Sequence, residues 1–126
     1  LSRFISPTTI VTIFEEDIED ANYAALHDNL HRLRLARDHE DKLFQIVKLP
    51  TPGMVEYQGQ RLPASYANFY IANKVVLVPT FKRANDKVAI ATLQEHFPER
   101  KVIGVDSSEL IWGLGSFHCI TQQEPA

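Results

Sequence analysis

Residues 9–14 read Thr9-Ile10-Val11-Thr12-Ile13-Phe14, a β-branched and aromatic run that predicts a strand. A helix is predicted to follow, with Asp20 as its N-cap. Its apolar face is predicted from residues spaced three and four apart: Tyr23, Leu26, Leu30 and Leu33. A second strand is predicted at residues 43–47, and the turn residues 50–53 are predicted to end it. This order of strand, helix and strand predicts an α/β fold.

The second half of the chain has the same order of elements. Strands are predicted at 69–71, 75–78 and 101–105, and a helix is predicted to begin near Asn85 and to end before Pro98. Aligning Phe4 with Phe69 gives an offset of 65 residues. The same offset superimposes the apolar residues of the two predicted central strands: Ile10 on Val75, Val11 on Val76 and Ile13 on Val78.

This offset predicts an internal repeat in which each unit consists of strand, turn, strand, helix and strand. The units are predicted at about residues 1–62 and 63–112, and residues 113–126 would open a third unit with a strand at 117–121. Two units and a fraction leave sheet edges uncovered, so we expect a longer polypeptide to complete the assembly. The alternative is an ordinary α/β domain whose βαβ pieces are alike by chance.

Composition limits the partners and the compartment. The 126 residues carry a formal charge of -3, without the cationic excess that nucleic acids and anionic membranes require. The sequence has no apolar run of about 18 residues that could span a membrane. Its single cysteine cannot form an internal disulfide, which favours a reducing, cytoplasmic compartment.

Cys119 is the first candidate for chemistry. A thiolate is a strong nucleophile at neutral pH, and Cys119 follows a glycine-containing turn that would let a substrate approach the backbone. The alternative from residue type is a small buried hydrophobe in an apolar strand, with a raised pKa and no reactivity. On such a strand, His118 would point to the opposite face and could not act as the base for Cys119.

No metal site is predicted. His27 and His31, with Asp28 between them, resemble the zinc motif H-E-x-x-H, but aspartate is too short to act as its base and a third ligand is missing. We therefore expect both histidines on the exposed surface of a helix. The acidic residues from Glu15 to Asp20 could suggest a cation site, but the start of a helix also collects carboxylates.

The strongest signature is at the end of the chain. Residues 113–125 read Gly113-Leu114-Gly115-Ser116-Phe117-His118-Cys119-Ile120-Thr121-Gln122-Gln123-Glu124-Pro125. This run resembles the C-terminal signature of the agmatine deiminases and the related bacterial peptidyl-arginine deiminase-like proteins. Residues 9–17, 65–71 and 94–98 resemble the same family in order and spacing, so the whole chain resembles its last third to two-fifths.

The resemblance implies part of a pentein fold, a five-bladed α/β propeller of ββαβ units, with about two repeats and the start of a third in this chain. It implies that Cys119 is the nucleophile that attacks the guanidinium carbon of agmatine. Ammonia would leave, and hydrolysis of a covalent thiouronium would give N-carbamoylputrescine. Asn68 and Gly113 are candidates for lining the substrate site.

The resemblance also implies what must come from elsewhere. The family's catalytic histidine and guanidinium-binding acids lie in upstream motifs that are absent from this sequence, so the predicted partner is a missing N-terminal portion. No metal or organic cofactor is implied, and a homodimer is expected because relatives often form one. Two alternatives remain: a non-catalytic propeller remnant that acts as an assembly module, and another pentein hydrolase or amidinotransferase that acts on arginine or peptidyl-arginine.

Overall fold

The computed structural model describes residues 1–124 and consists of two three-stranded sheets, a short hairpin and two helices. In chain order, the elements are β1 (Ser2–Ser6), β2 (Thr9–Phe14), α1 (Tyr23–Leu35), β3 (Gln45–Pro50), β4 (Glu56–Tyr57), β5 (Gln60–Arg61), β6 (Tyr70–Ile71), β7 (Val75–Thr80), α2 (Asp86–His96), β8 (Lys101–Asp106) and a 3₁₀ helix (Leu110–Gly113).

The two larger sheets have the same topology. In the first, β1 pairs antiparallel with β2, and β2 pairs parallel with β3 after the chain has passed through α1. In the second, β6, β7, α2 and β8 follow the same order and directions. The predicted α/β fold of ββαβ units is therefore confirmed. The hairpin of β4 and β5 lies between the two units.

One hydrophobic core joins both units, and the central strands supply its middle. Val11 and Ile13 of β2, together with Val76 and Val78 of β7, are buried in this core, and these are residues that the 65-residue offset superimposes. Leu26 of α1 and Leu93 of α2 pack in the same core. None of the helices in the described part of the chain is long and apolar enough to cross a membrane.

The alignment of Phe4 with Phe69 is wrong. Phe4 pairs with Ile10 inside β1 and is 57% exposed, whereas Phe69 precedes β6 and is fully buried. The β1–β2 pairing contains an irregularity after Phe4, and seven residues separate the paired Arg3 and Val11, whereas four separate the equivalent pair Ile71 and Val76. The offset of the central strands therefore does not carry over to the strands before them.

Two element boundaries also differ from the prediction. The second strand is Gln45–Pro50 rather than 43–47, and Pro50 ends it as an edge-strand residue, where a missing N–H is tolerated. Helix α1 begins at Tyr23, so Asp20 is not its N-cap. Asp20 instead accepts the N–H of Asn22 and pairs with Arg61 at 2.8 Å.

Candidate active site

Cys119 lies in a turn and its side chain is exposed. The prediction of a strand at 117–121 is wrong, because the N–H groups of Cys119 and Ile120 both donate to the carbonyl of Ser116, at 2.9 and 3.2 Å. These local bonds use the donors that a strand ladder would need. The alternative of a buried, inert cysteine in an apolar strand does not describe this side chain.

Asn68 binds the turn that carries Cys119 through both ends of its side-chain amide. Its Oδ1 accepts the backbone N–H of His118 at 2.8 Å and that of Cys119 at 3.3 Å. Two N–H donors require an oxygen on that side, so the amide nitrogen faces the sulfur. Nδ2 donates to the Sγ of Cys119 at 3.1 Å. The two predicted site residues Asn68 and Cys119 are therefore in direct contact.

This contact changes the acidity of the thiol. The hydrogen bond from Asn68 is the largest cause that lowers the pKa of Cys119 below its ordinary value, and the backbone bond with Ser116 adds to it. Partial burial opposes both effects. A donor aimed at the sulfur stabilises the thiolate more than the thiol, so the arrangement favours the nucleophilic form.

His118 and Cys119 line the same pocket, so the prediction that they point to opposite faces is wrong. We call this pocket the Cys119 pocket, and its lining includes Ser2, Arg3, Ser65, Asn68, His118 and Cys119. The nearby positive charge of Arg3, and then partial burial, lower the pKa of His118 from its ordinary value. A turn allows adjacent side chains to share a pocket, unlike the strand assumed from the sequence.

Gly113, the other predicted site residue, has open space around it. It ends the 3₁₀ helix, is exposed, and has open space where a Cβ would stand. Gly115 is the glycine beside the sulfur, because a Cβ there would lie 3.2 Å from the Sγ of Cys119. The prediction that Gly113 lines the substrate site stays a prediction, and Gly115 is a residue beside the sulfur that the sequence did not single out.

The two histidines on α1 do not form a metal site with other side chains of the described residues. His27 Nε2 lies 2.9 Å from the carbonyl of Glu15, and the His27 ring stacks on Tyr23 with centroids 3.9 Å apart. His31 is exposed. Within residues 1–124, no group of three or more histidine, cysteine or acidic side chains is placed to hold a metal ion.

The acidic run before α1 does not complement the start of the helix either, since the first turn of α1 has no acidic residue. Glu15 accepts the backbone N–H groups of Glu16 and Asp17 and the hydroxyl of Thr51. Asp17 accepts the N–H of Glu19 at 3.0 Å. These carboxylates stabilise the loop between β2 and α1, so the expected role at the helix terminus is wrong.

Comparison with known proteins identifies relatives over nearly the whole chain. A family model described as Porphyromonas-type peptidyl-arginine deiminase matches residues 1–125. A curated relative from Lactococcus lactis, named "Putative agmatine deiminase", is 34% identical and is matched over 97% of this chain and 38% of its own length. The chain thus spans little more than a third of that relative.

Solved structures agree with the sequence comparison. The "Putative Arginine Deiminase" of Porphyromonas gingivalis is 40% identical with a TM-score of 0.96, covering 99% of this chain and 37% of that one. The agmatine deiminase of Enterococcus faecalis is 32% identical with a TM-score of 0.93, covering 99% of this chain and 39% of that one. The similarity therefore extends through both ββαβ units and the turn that carries Cys119.

Proposed function

The chain belongs to the Porphyromonas-type peptidyl-arginine deiminase family, and we propose that it is the C-terminal part of a guanidino-group deiminase. Its match to the agmatine and arginine deiminase structures confirms the predicted part of a pentein fold. The names of the Lactococcus lactis and Enterococcus faecalis relatives support agmatine as the substrate. The expected reaction releases ammonia and N-carbamoylputrescine.

The observation that carries this proposal is the 3.1 Å hydrogen bond from Asn68 Nδ2 to an exposed Cys119 sulfur. A guanidinium carbon is a poor electrophile, so the attacking sulfur must be available as a thiolate. The amide lowers the pKa of Cys119 without covering it. A purely structural cysteine has no need of a donor held in this orientation.

The proposed reaction has two covalent steps. The thiolate of Cys119 forms a bond to the guanidinium carbon, and a C–N bond breaks as the departing nitrogen takes up a proton and leaves as ammonia. Water then adds to the same carbon of the thiouronium. The C–S bond breaks, which returns the thiolate and releases the carbamoyl product.

The pocket also indicates what this part of the chain does not supply. The described residues that line the Cys119 pocket include no carboxylate, and Arg3 brings a positive charge to the pocket. A guanidinium substrate needs carboxylates to orient it and a group that protonates the leaving ammonia. We therefore propose that an upstream portion of the polypeptide supplies the acids and the catalytic histidine.

The test uses the complete polypeptide that carries residues 1–126, incubated separately with agmatine, free arginine and a peptide containing arginine. Ammonia and ureido product are expected from agmatine, and Cys119→Ser should abolish both. Equal release by the Cys119→Ser variant would reject Cys119 as the nucleophile. No release from any of the three substrates would instead favour a non-catalytic assembly module.

Residues 1–126 prepared alone provide a second arm of the test. In this fragment we expect iodoacetamide to alkylate Cys119, but we expect no ammonia from agmatine. Adding the upstream portion should restore the release of ammonia. Turnover by residues 1–126 alone would show that the proposed upstream acids are unnecessary.

A further inference from the structure

Arg3 connects the first sheet to the segment that carries Asn68. It lies in β1 opposite Val11, and paired residues on neighbouring strands project to the same face of a sheet. Its side chain reaches the second unit, where the guanidinium carbon lies 4.3 Å from the centroid of the Phe69 ring. Phe69 is fully buried, so the arginine rests on a fixed aromatic surface.

The same guanidinium binds the backbone on both sides of Asn68. Nη1 donates to the carbonyl of Phe69 and lies 3.5 Å from the carbonyl of Ala67. The carbonyl between them, that of Asn68, accepts the N–H of His118 at 3.2 Å. Three successive carbonyls are thus bound from outside the segment, immediately before β6 begins.

This arrangement matters because residues 67–69 precede the ladder of β6 and β7, whose pairing begins at Tyr70. Sheet hydrogen bonds therefore do not fix the direction of the Asn68 side chain. The guanidinium is planar and rigid, so it can hold neighbouring carbonyls in one geometry, which a flexible ammonium cannot do as well. A rotation of the segment would move Asn68 Nδ2 away from the sulfur.

We propose, on the basis of the deiminase function above, that Arg3 is a positioning residue that holds residues 67–69 so that the Asn68 amide faces the Cys119 sulfur. Arg3 acts through Asn68 and does not itself touch the reacting atoms. Its effect on the reaction is therefore carried by the orientation of one amide group.

The charge of Arg3 also supports the proposal that Asn68, and not His118, stabilises the thiolate of Cys119. This charge lowers the pKa of His118. Among the described residues that line the Cys119 pocket, His118 is the third titratable side chain, after Cys119 and Arg3. A neutral imidazole cannot stabilise the neighbouring thiolate as an ion pair. Stabilisation of the thiolate therefore depends more strongly on the amide that Arg3 orients.

The test compares Arg3→Lys and Arg3→Gln in the complete polypeptide with Arg34→Gln, an exposed arginine of α1, as the matched control. Alkylation of Cys119 by iodoacetamide is followed from pH 5 to 10 by mass spectrometry of its peptide. Both Arg3 variants are expected to shift the alkylation midpoint upward by about one pH unit, which slows alkylation at pH 7 about tenfold. Arg34→Gln should match the wild type.

Asn68→Ala is then combined with each Arg3 substitution. Because Arg3 acts through Asn68, the double variants should alkylate within about twofold of Asn68→Ala alone. Fully additive effects would overturn the proposal, as would folded Arg3 variants that keep the wild-type midpoint. Failure of both Arg3 variants to fold, judged by circular dichroism, would show a structural role and would also overturn it.

Agmatine turnover separates this inference from the proposed function. With turnover present, the Arg3 variants should lower kcat about tenfold or more and change KM much less, because a misoriented Asn68 amide leaves less of Cys119 as the thiolate without altering substrate binding. Alkylation does not require turnover. A shifted midpoint in a protein that never releases ammonia would reject the deiminase function but support the positioning role.

Discussion

Gly115 packs directly against Cys119, because a Cβ built on Gly115 would lie 2.8 Å from the Cβ of Cys119 and 3.2 Å from its Sγ. The first distance is too short for two carbon atoms, and Cys119 Cβ cannot move unless the whole turn moves. The backbone of Gly115 therefore lies so close to the Cys119 side chain that no side chain fits at position 115.

The Gly115→Ala substitution is expected to displace the turn and to separate the sulfur from Asn68. Overpacking of this kind costs about 1–3 kcal/mol, and loss of the amide donor should slow alkylation of Cys119 at pH 7 about tenfold. The measurement is the iodoacetamide rate over a pH series. Gly113→Ala is the matched control for thiol reactivity, since its Cβ would meet nothing within 4 Å. Equal rates in the two variants would contradict the prediction.

Asn68→Asp tests the amide without changing its shape. The backbone donors of His118 and Cys119 would keep an oxygen acceptor, but the atom facing the sulfur would become a carboxylate oxygen instead of a donor. Negative charge beside the sulfur disfavours the thiolate, so the pKa of Cys119 should rise instead of staying below its ordinary value of 9.0. The alkylation midpoint should therefore move to higher pH. Asn73→Asp, in the exposed turn before β7, should leave it unchanged.

Most of the fold could be predicted because each ββαβ unit has its own local signals. The β-branched runs of β2 and β7 and the apolar spacing in α1 and α2 correspond to the elements observed. The boundaries were less accurate where a tertiary contact competes with a local signal. Asp20 is an example, since its pairing with Arg61 replaces a role as N-cap.

The candidate site was predictable only in part. The C-terminal signature pointed to Cys119, the family resemblance implied Asn68 as a candidate for lining the site, and the structure brings these two residues together. Residues 117–121 include aromatic and β-branched residues, which are typical of a strand, but two N–H groups of this segment donate to the carbonyl of Ser116 and form a turn. The role of Arg3 depends on a contact with Phe69 in the other unit, and no local pattern carries that information.

The hydroxyls of Ser107 and Ser116 form a fully buried pair, with their oxygens 3.1 Å apart. Ser107→Ala or Ser116→Ala alone should leave one buried hydroxyl without its partner, which costs about 1–3 kcal/mol of unfolding free energy. The double variant removes both polar groups, so it should lose less than the sum of the single changes. Urea unfolding of all four proteins measures this cycle. Strict additivity would show that the pair does not act as a unit.

Tyr66 and Asp86 join the loop before β6 to the start of α2. The buried Tyr66 hydroxyl donates to Asp86 Oδ1 at 2.7 Å, and Asp86 also accepts the N–H groups of Phe81 and Arg83. Tyr66→Phe should therefore lower the free energy of unfolding by about 1.5 kcal/mol, as expected for a hydrogen bond to a charged group. Tyr57→Phe, which alters an exposed tyrosine, is the matched control and should change it by less than about 0.5 kcal/mol.

The pH dependence of stability gives the same contact a second test. Burial, followed by the bond to Asp86, raises the pKa of Tyr66 above its ordinary value of 10.0. Below pH 10 the tyrosine is neutral in both states, and above it the unfolded chain ionises first, so the native state loses stability as the pH rises. Tyr66→Phe removes this ionisation. Its stability should therefore fall less steeply between pH 9.5 and 11 than that of the wild type, and identical slopes would contradict the assignment.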